Sequence, residues 1–307
     1  MKKNYLYHPF KLVMKPNIKL VLGAVCVTFA LWYSGTFTHP SEFRRYLEPL
    51  SDLHFHGAHG QDRWLLDLFL SLRQKHSSLE AGIFIEAGMF DGTTGSNMYV
   101  FEKHFNWSGI CFEPNKDLYK KAKRARQCFA LNAGVCQSTG TFEYTQLAAP
   151  RDQESGVFEF MTERRKNDVL QQIATGQLQV DATYPINCVT VEDALELAYH
   201  GSVARVDVFS LDVESSELHV LRSIDFSRTV IDIFLIEASH QDEVLQFMRD
   251  TDLYHHVSQV GDDLVFFRKD SAYVDVWLNG CRNLRKPNEG YFKFVAPDMH
   301  WRCESEN

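Results

Sequence analysis

IFIEAGMFDGTTG, residues 83–95, is a short apolar run closed by an acid and followed by a turn rich in glycine. Its β-branched and aromatic start reads as a buried strand, and the turn leads into an apolar-periodic stretch from Asn97 to Phe105 that reads as a helix. Gly88 and Gly92 let the backbone turn tightly and approach a ligand, and the amides of Ser96 and Asn97 follow at the helix start. The spacing is GxxxGxxG, which is neither the GxGxxG dinucleotide fingerprint nor a phosphate loop ending in Gly-Lys-Ser/Thr. An acid, Glu86, at the strand end points to a ligand carrying cationic or hydroxyl groups.

The same grammar repeats outward from this unit. Gly109 to Glu113, Cys128 to Asn132, Val206 to Asp212 and Ile231 to Glu237 are apolar strands that end in polar or acidic residues, with helical patterns at 63–75, 118–126, 191–199 and 241–249 between strands. Thr141 to Thr145 and Asn187 to Thr190 are further strand signals, and 146–182 is polar and weakly periodic, the pattern of a lid or insertion. Such alternation predicts an α/β domain over 61–269, a doubly wound and mostly parallel sheet. The adjacent runs Tyr254 to Gln259 and Leu264 to Arg268, with Gly261-Asp262 between them, predict an antiparallel edge hairpin. Residues 270–307 read as an extension that wraps the domain surface.

In open parallel sheets ligands sit at the carboxyl ends of the strands. Glu113 closes the second strand, where an acid accepts hydrogen bonds from ribose hydroxyls. Asn132-Ala133 closes the third, and the asparagine amide suits an adenine edge. SLDVESSELHVL (210–221) places Asp212 and Glu214 at a later strand end, and His240 follows IFLIE on the same rim. Asp212 and His240 are candidate bases for removing a hydroxyl proton, with Glu214 as second choice. The spacing of these groups supports no metal site.

FIEAGMFDGTTGSN, ICFEPN, LNAGV, VTVEDAL, SLDVESSELHVL and IFLIEAS together resemble, in order and spacing, the FkbM-type methyltransferase family over about residues 80–240. The resemblance implies a Rossmann-like methyltransferase fold, S-adenosylmethionine as cofactor and methyl transfer to a hydroxyl, often of a sugar. It implies that Glu86, Gly88 and Gly92, in the loop that also holds Asp91, line the methionine end of the cofactor, Glu113 the ribose, and Asn132 with Ala133 the adenine. The family usually carries Asp-x-Glu-Gly-x-Glu after the fourth strand, whereas here Ser215 stands in place of the glycine. A glycine required for positive φ or close ligand approach makes serine a strain or an obstruction there.

The chain has 307 residues with 32 basic and 40 acidic side chains, net −8, which argues against nucleic acid as a partner. Residues 1–37 carry five lysines and no acid. Within them, residues 20–37 are uncharged and mostly apolar, close to the ~20 residues a membrane-spanning helix requires. A cytosolic basic tail (1–19), a transmembrane signal anchor (20–37) and a stem (38–60) follow, with the body lumenal by the positive-inside rule. A cleaved signal is the alternative to this type II topology. Anchor and domain together resemble the branch of the family containing Star-type proteins, membrane proteins concerned with moving signalling cargo out of the endoplasmic reticulum. That resemblance implies a place in the endoplasmic reticulum, Golgi or endosomal system, and either a glycan acceptor or a secretory cargo protein as partner. Six cysteines follow the anchor, an even number suited to an oxidising compartment. Cys281 with Cys303 and Cys128 with Cys136 are the expected pairs, and Cys111 and Cys188, in apolar strand-like runs, read either as buried free thiols or as bridge partners. Asn106-Trp107-Ser108 is a glycosylation sequon, or else only a turn between helix and strand.

Overall fold

The computed structural model describes residues 53–73, 81–201, 205–238, 240–285 and 301–303. The expected tail and anchor, and residues 38–52 of the expected stem, lie outside these residues. Among the described residues no helix is long and apolar enough to cross a membrane.

In chain order, helix α1 (Gln61–Arg73) precedes β1 (Ile83–Ala87), α2 (Tyr99–Phe105), β2 (Ser108–Phe112), α3 (Lys116–Ala125) and β3 (Phe129–Leu131). Then come β4 (Gly134–Val135), β5 (Gly140–Leu147), α4 (Glu163–Ala174), β6 (Val180–Val189) and α5 (Val191–Tyr199). The rest is β7 (Arg205–Leu211), α6 (Glu217–Leu221), β8 (Val230–Glu237), α7 (Gln241–Asp250), β9 (Tyr254–Val260), β10 (Asp263–Arg268) and α8 (Tyr273–Arg285). Seven strands form one sheet in the order β3-β2-β1-β7-β8-β10-β9. The first five of these pair in parallel, and β10 runs antiparallel to both β8 and β9, so the expected edge hairpin is present. The chain winds outward from β1 in one direction through β2 and β3, and in the other through β7 and β8. The reversal lies between β1 and β7, and a crevice opens there at the carboxyl ends.

Strand alternation explains the layers. Ile85, Ile110, Phe209 and Phe234 turn one face of the sheet toward Val191 and Leu195 of α5, Leu221 of α6 and Met248 of α7, all buried in one cluster. Aromatic rings fill the opposite side: Phe69 of α1 meets Phe101 of α2 and Tyr273 of α8 at 5.4 and 5.7 Å, and Trp64 lies 6.2 Å from Phe267 of β10. Fully burying each such side chain contributes roughly 1.5–3 kcal/mol. The 270–307 extension is therefore no loose wrap at its start, because α8 carries Tyr273 into this layer. Its end also docks: Trp301 bridges Ser258 on the edge strand β9, and Cys281 is bonded to Cys303 as expected.

The other two bridges correct the cysteine reading. Cys128 is joined to Cys111 and Cys136 to Cys188, so Cys128 and Cys136 are not a pair and neither Cys111 nor Cys188 is free. Strand pairing decides this: β3 lies along β2 and brings Cys128 to Cys111, whereas β4 pairs with β6 and brings Cys136 to Cys188. The strands at 141–145 and 187–190 also leave the main sheet. They belong to a separate three-stranded sheet of order β4-β6-β5, with α4 and two short 3-10 turns, Asp152–Glu154 and Phe158–Phe160, between β5 and β6. The region 146–182 is thus an ordered insertion with its own small core of Leu147, Val169 and Leu178.

Candidate functional site

A cavity of about 460 Å³ occupies the reversal point of the main sheet. The loop after β1 contributes Gly88, Phe90, Thr94 and Gly95, and the end of β2 contributes Phe112, Glu113 and Pro114. Asp212, Val213 and Glu214 after β7 and Glu237 at the end of β8 form the acidic side. The small sheet and its insertion make the roof, through Val135, Cys136, Tyr144, Ile186 and the stretch from Asp152 to Phe160. Ala58, from the segment read as stem, also lines it.

Gly88 is fixed by this geometry. Its φ is +88°, and a Cβ there would stand 2.0 Å from the backbone oxygen of Asp212, so only glycine lets the two strand ends meet. Gly92 acts elsewhere, since a Cβ on it would fall 2.7 Å from Cα of Ala122; it seats the loop on α3 rather than facing a ligand.

The structure removes Glu86 from the ligand-facing set. Its carboxylate is buried, pairs with Arg126 Nη1 at 2.6 Å, and accepts hydrogen bonds from Ser96 Oγ and the amides of Asn97 and Met98. Arg126 also pairs with Glu102 at 3.0 Å. Burial disfavours the guanidinium charge, but the two carboxylates outweigh it and raise the Arg126 pKa. Glu86 does not line the cavity, because this ion triad takes up its lone pairs to hold the start of α2 and the end of α3 together. Asp91 likewise turns inward on its own loop, accepting from the backbone and hydroxyl groups of Thr93 and Thr94. Burial would raise its pKa, yet these four bonds lower it. Asn132 donates to the carbonyls of Glu113 and Pro114 and so braces the β2 end, and neither it nor Ala133 lines the cavity.

Glu113, by contrast, faces the cavity. It accepts from the amide of Asn115 at 2.8 Å and from that of Phe90, yet burial pushes its pKa from 4.5 up to about 8. Among the described residues it makes no salt bridge, so a ligand that donates hydrogen bonds, such as a vicinal diol, would satisfy it.

Asp212 and Glu214 line the same cavity, as the sequence led one to expect, and Glu237 joins them. Asp212 keeps some surface because it faces the cavity, but it lies deep among protein atoms. Burial, then the charges of Glu237 and Glu214, raise its pKa well above the ordinary range, and it shares a hydrogen bond with Glu237. Asp212 therefore holds its proton well beyond the range of an ordinary carboxyl. Glu214 is pushed up to about 8 by burial, then by Glu237, Glu217 and Glu154, with Arg165 opposing. Glu217 is buried and raised to about 7; it accepts from the amides of Val213 and Ser215 and so shapes the loop. Glu237 was not among the expected site residues although IFLIE ends in an acid like the other strands; that strand-end acid was the signal that could have found it. His240 is set apart. It lines an adjoining polar cleft of about 640 Å³ with Arg164, Asp242 and Glu243, and Glu237 belongs to both spaces. Ser215 adopts φ +76°, beside Glu214 at +55°. The expected backbone strain is therefore present, but Ser215 is not among the cavity-lining residues and does not obstruct it.

A family model described as the methyltransferase FkbM domain matches residues 86–259. The chain belongs to this FkbM family. The chain is also similar to the crystallised methyltransferase FkbM of Methylobacillus flagellatus KT, at 14% identity and a TM-score of 0.35. That match covers 61% of this chain and 43% of the other, so the chain spans less than half of its length. No curated protein matches the sequence. For an FkbM domain, the features that suit a ligand are Glu113 at the end of β2, the Gly88 turn, and the apolar walls Phe112, Pro114, Leu118 and Val135. The acidic side suits a positive charge.

Proposed function

We propose that the protein is an S-adenosylmethionine-dependent O-methyltransferase of the secretory pathway, anchored through residues 20–37 with its body lumenal. The single observation that carries the cofactor reading is the pairing within one cavity of a buried Glu113, without a salt bridge among the described residues, and an acidic end made of Asp212, Glu214 and Glu237. Glu113 would accept the ribose hydroxyls, Phe112, Pro114 and Leu118 would pack on the base, and the carboxyls would face the positive charge. The bound cofactor would supply an electrophilic methyl group on a sulfonium.

The chain's own part is then positioning and proton handling. A hydroxyl is a poor nucleophile until its proton is taken, and a carboxylate with a raised pKa takes it more readily near neutral pH than an ordinary one. Asp212, whose pKa is raised, would exchange that proton, with Glu214 and Glu237 adjacent. The roof from Asp152 to Phe160 would exclude water from the reacting end. His240, on the adjoining cleft, would contact the acceptor rather than the cofactor. A glycan is the acceptor class that the family resemblance suggests.

A second reading, a Star-like protein that binds secretory cargo and assists its passage from the endoplasmic reticulum without turnover, is favoured by two observations. Glu86 is committed to Arg126, and the loop at Glu214-Ser215 is strained. One experiment separates the two. Calorimetric titration of S-adenosylmethionine into the full chain is expected to show binding that Glu113→Gln weakens at least tenfold. Absence of binding by folded protein would end the enzyme reading and leave cargo capture.

A further inference from the structure

The sequence holds a single Asn-x-Ser/Thr triplet, Asn106-Trp107-Ser108, at the turn from α2 into β2. A triplet alone is a weak pattern, and asparagine has an ordinary reason to be here. Asn106 is the C-cap of α2 at φ 58°, a left-handed position that asparagine tolerates better than most residues. The cap itself, however, is made by the backbone: the Asn106 amide donates to the carbonyl of Phe101, and the side chain is exposed.

The three residues alternate in direction. Trp107 is buried, with its ring 4.9 Å from Phe69 and 5.2 Å from Phe101, whereas Asn106 and Ser108 on either side are exposed. The bulky middle residue of the triplet is thus stowed in the aromatic layer, and the two residues that a glycosylating enzyme reads point outward. The place is also remote from the ligand cavity. Ser108 begins β2 and Phe112, at its other end, lines the cavity, a span of about 13 Å at ~3.3 Å per residue. A glycan on Asn106 would project from the amino-terminal edge of the sheet and leave the cavity mouth open. All six cysteines of the body are joined in three bridges, the state expected of a compartment where such transfer occurs.

We propose that Asn106 carries an N-linked glycan. The donor is of the lipid-pyrophosphate-linked oligosaccharide class. The Nδ2 atom of Asn106 forms a bond to the anomeric carbon, the bond from that carbon to the pyrophosphate oxygen breaks, the lipid pyrophosphate leaves, and one amide proton is lost to solvent. Ser108 completes the recognised triplet, and its hydroxyl is accessible at the surface, with Tyr199 Oη 3.5 Å away.

The test is expression of the full chain in a eukaryotic secretory cell, followed by peptide:N-glycosidase F and peptide mass analysis. The expected result is a mobility shift removed by the enzyme, with Asn106 converted to aspartate in the released peptide. Ser108→Ala should abolish the shift while leaving Asn106 in place, and Ser108→Thr should retain it; misfolding of either variant would not mimic this pair of outcomes. An unshifted wild-type chain overturns the proposal, whether its cysteines resist alkylation, showing that it entered the lumen, or all react, showing that it did not.

Discussion

Glu113→Gln isolates the cost of a buried carboxylate. The folded protein holds the Glu113 proton up to about pH 8, against an ordinary value of 4.5. Between those limits the folded state binds more protons than the unfolded chain, so this group's contribution to stability is full at low pH and is lost as pH rises. At ~1.4 kcal/mol per pH unit the whole window corresponds to about 5 kcal/mol, an upper limit set by complete burial. Glutamine keeps the acceptor for the Asn115 amide and has no proton to lose. Glu214 and Glu217 carry the same sign of dependence in both proteins, and it cancels in the difference. Urea unfolding of wild type and variant, followed by tryptophan fluorescence from about pH 5 to about pH 8, should show the variant gaining on wild type by roughly 1 kcal/mol per pH unit. A difference that stays flat across that range would refute the assignment of Glu113 as a buried acid without a salt bridge among the described residues.

Arg126→Leu should destabilise the fold by about 3–5 kcal/mol, because it leaves Glu86 and Glu102 buried without a partner, and Arg126→Lys should rescue little, since one ammonium lacks the fork that spans both; chemical unfolding measures both. Gly88→Ala should cost upwards of ~2 kcal/mol in the same assay and abolish ligand binding by calorimetry, since the methyl group meets the Asp212 carbonyl. Ser215→Gly should raise thermal stability by about 1 kcal/mol by relieving a left-handed serine; an unchanged or lower melting temperature would show that the hydroxyl's contacts outweigh the strain. Joint replacement of Cys136 and Cys188 by alanine should cost ~2–5 kcal/mol and increase hydrogen exchange in β5 and β6 before the main sheet.

The main sheet was legible because its strands are apolar runs ended by acids, a pattern that burial on both faces imposes. The small sheet was not, since β6 from Val180 to Val189 is half exposed and none of its first six residues is buried, so no alternation of apolar and polar residues marks it in a single sequence. The helix from Glu163 to Ala174 was missed for the same reason: Val169 is its one fully buried residue, too few for a visible stripe. At the site, a residue's place at a strand end was readable but its direction was not. Glu86 and Glu113 both read as strand-closing acids, yet the register sets Glu86 beside Cys111, inside β1, where the distant Arg126 holds it in the fold's interior, whereas Glu113 lies two residues further on, past the end of β2 and on the cavity. Disulfide partners depended on which strands pair, which local spacing does not encode.

The segment just before α1 belongs to the domain rather than to a stem. Asp62 binds the amides of His56 and Gly57, Gly57 bridges to Gly95 of the loop after β1, and Ala58 lines the cavity. A soluble fragment that starts at Gln61 would therefore lose a piece of cavity wall and a brace on the loop while keeping every strand, and it would fold yet bind poorly. Starting at or before His54 preserves both, so the choice of cleavage point decides whether a negative binding result speaks about the protein or about the cut.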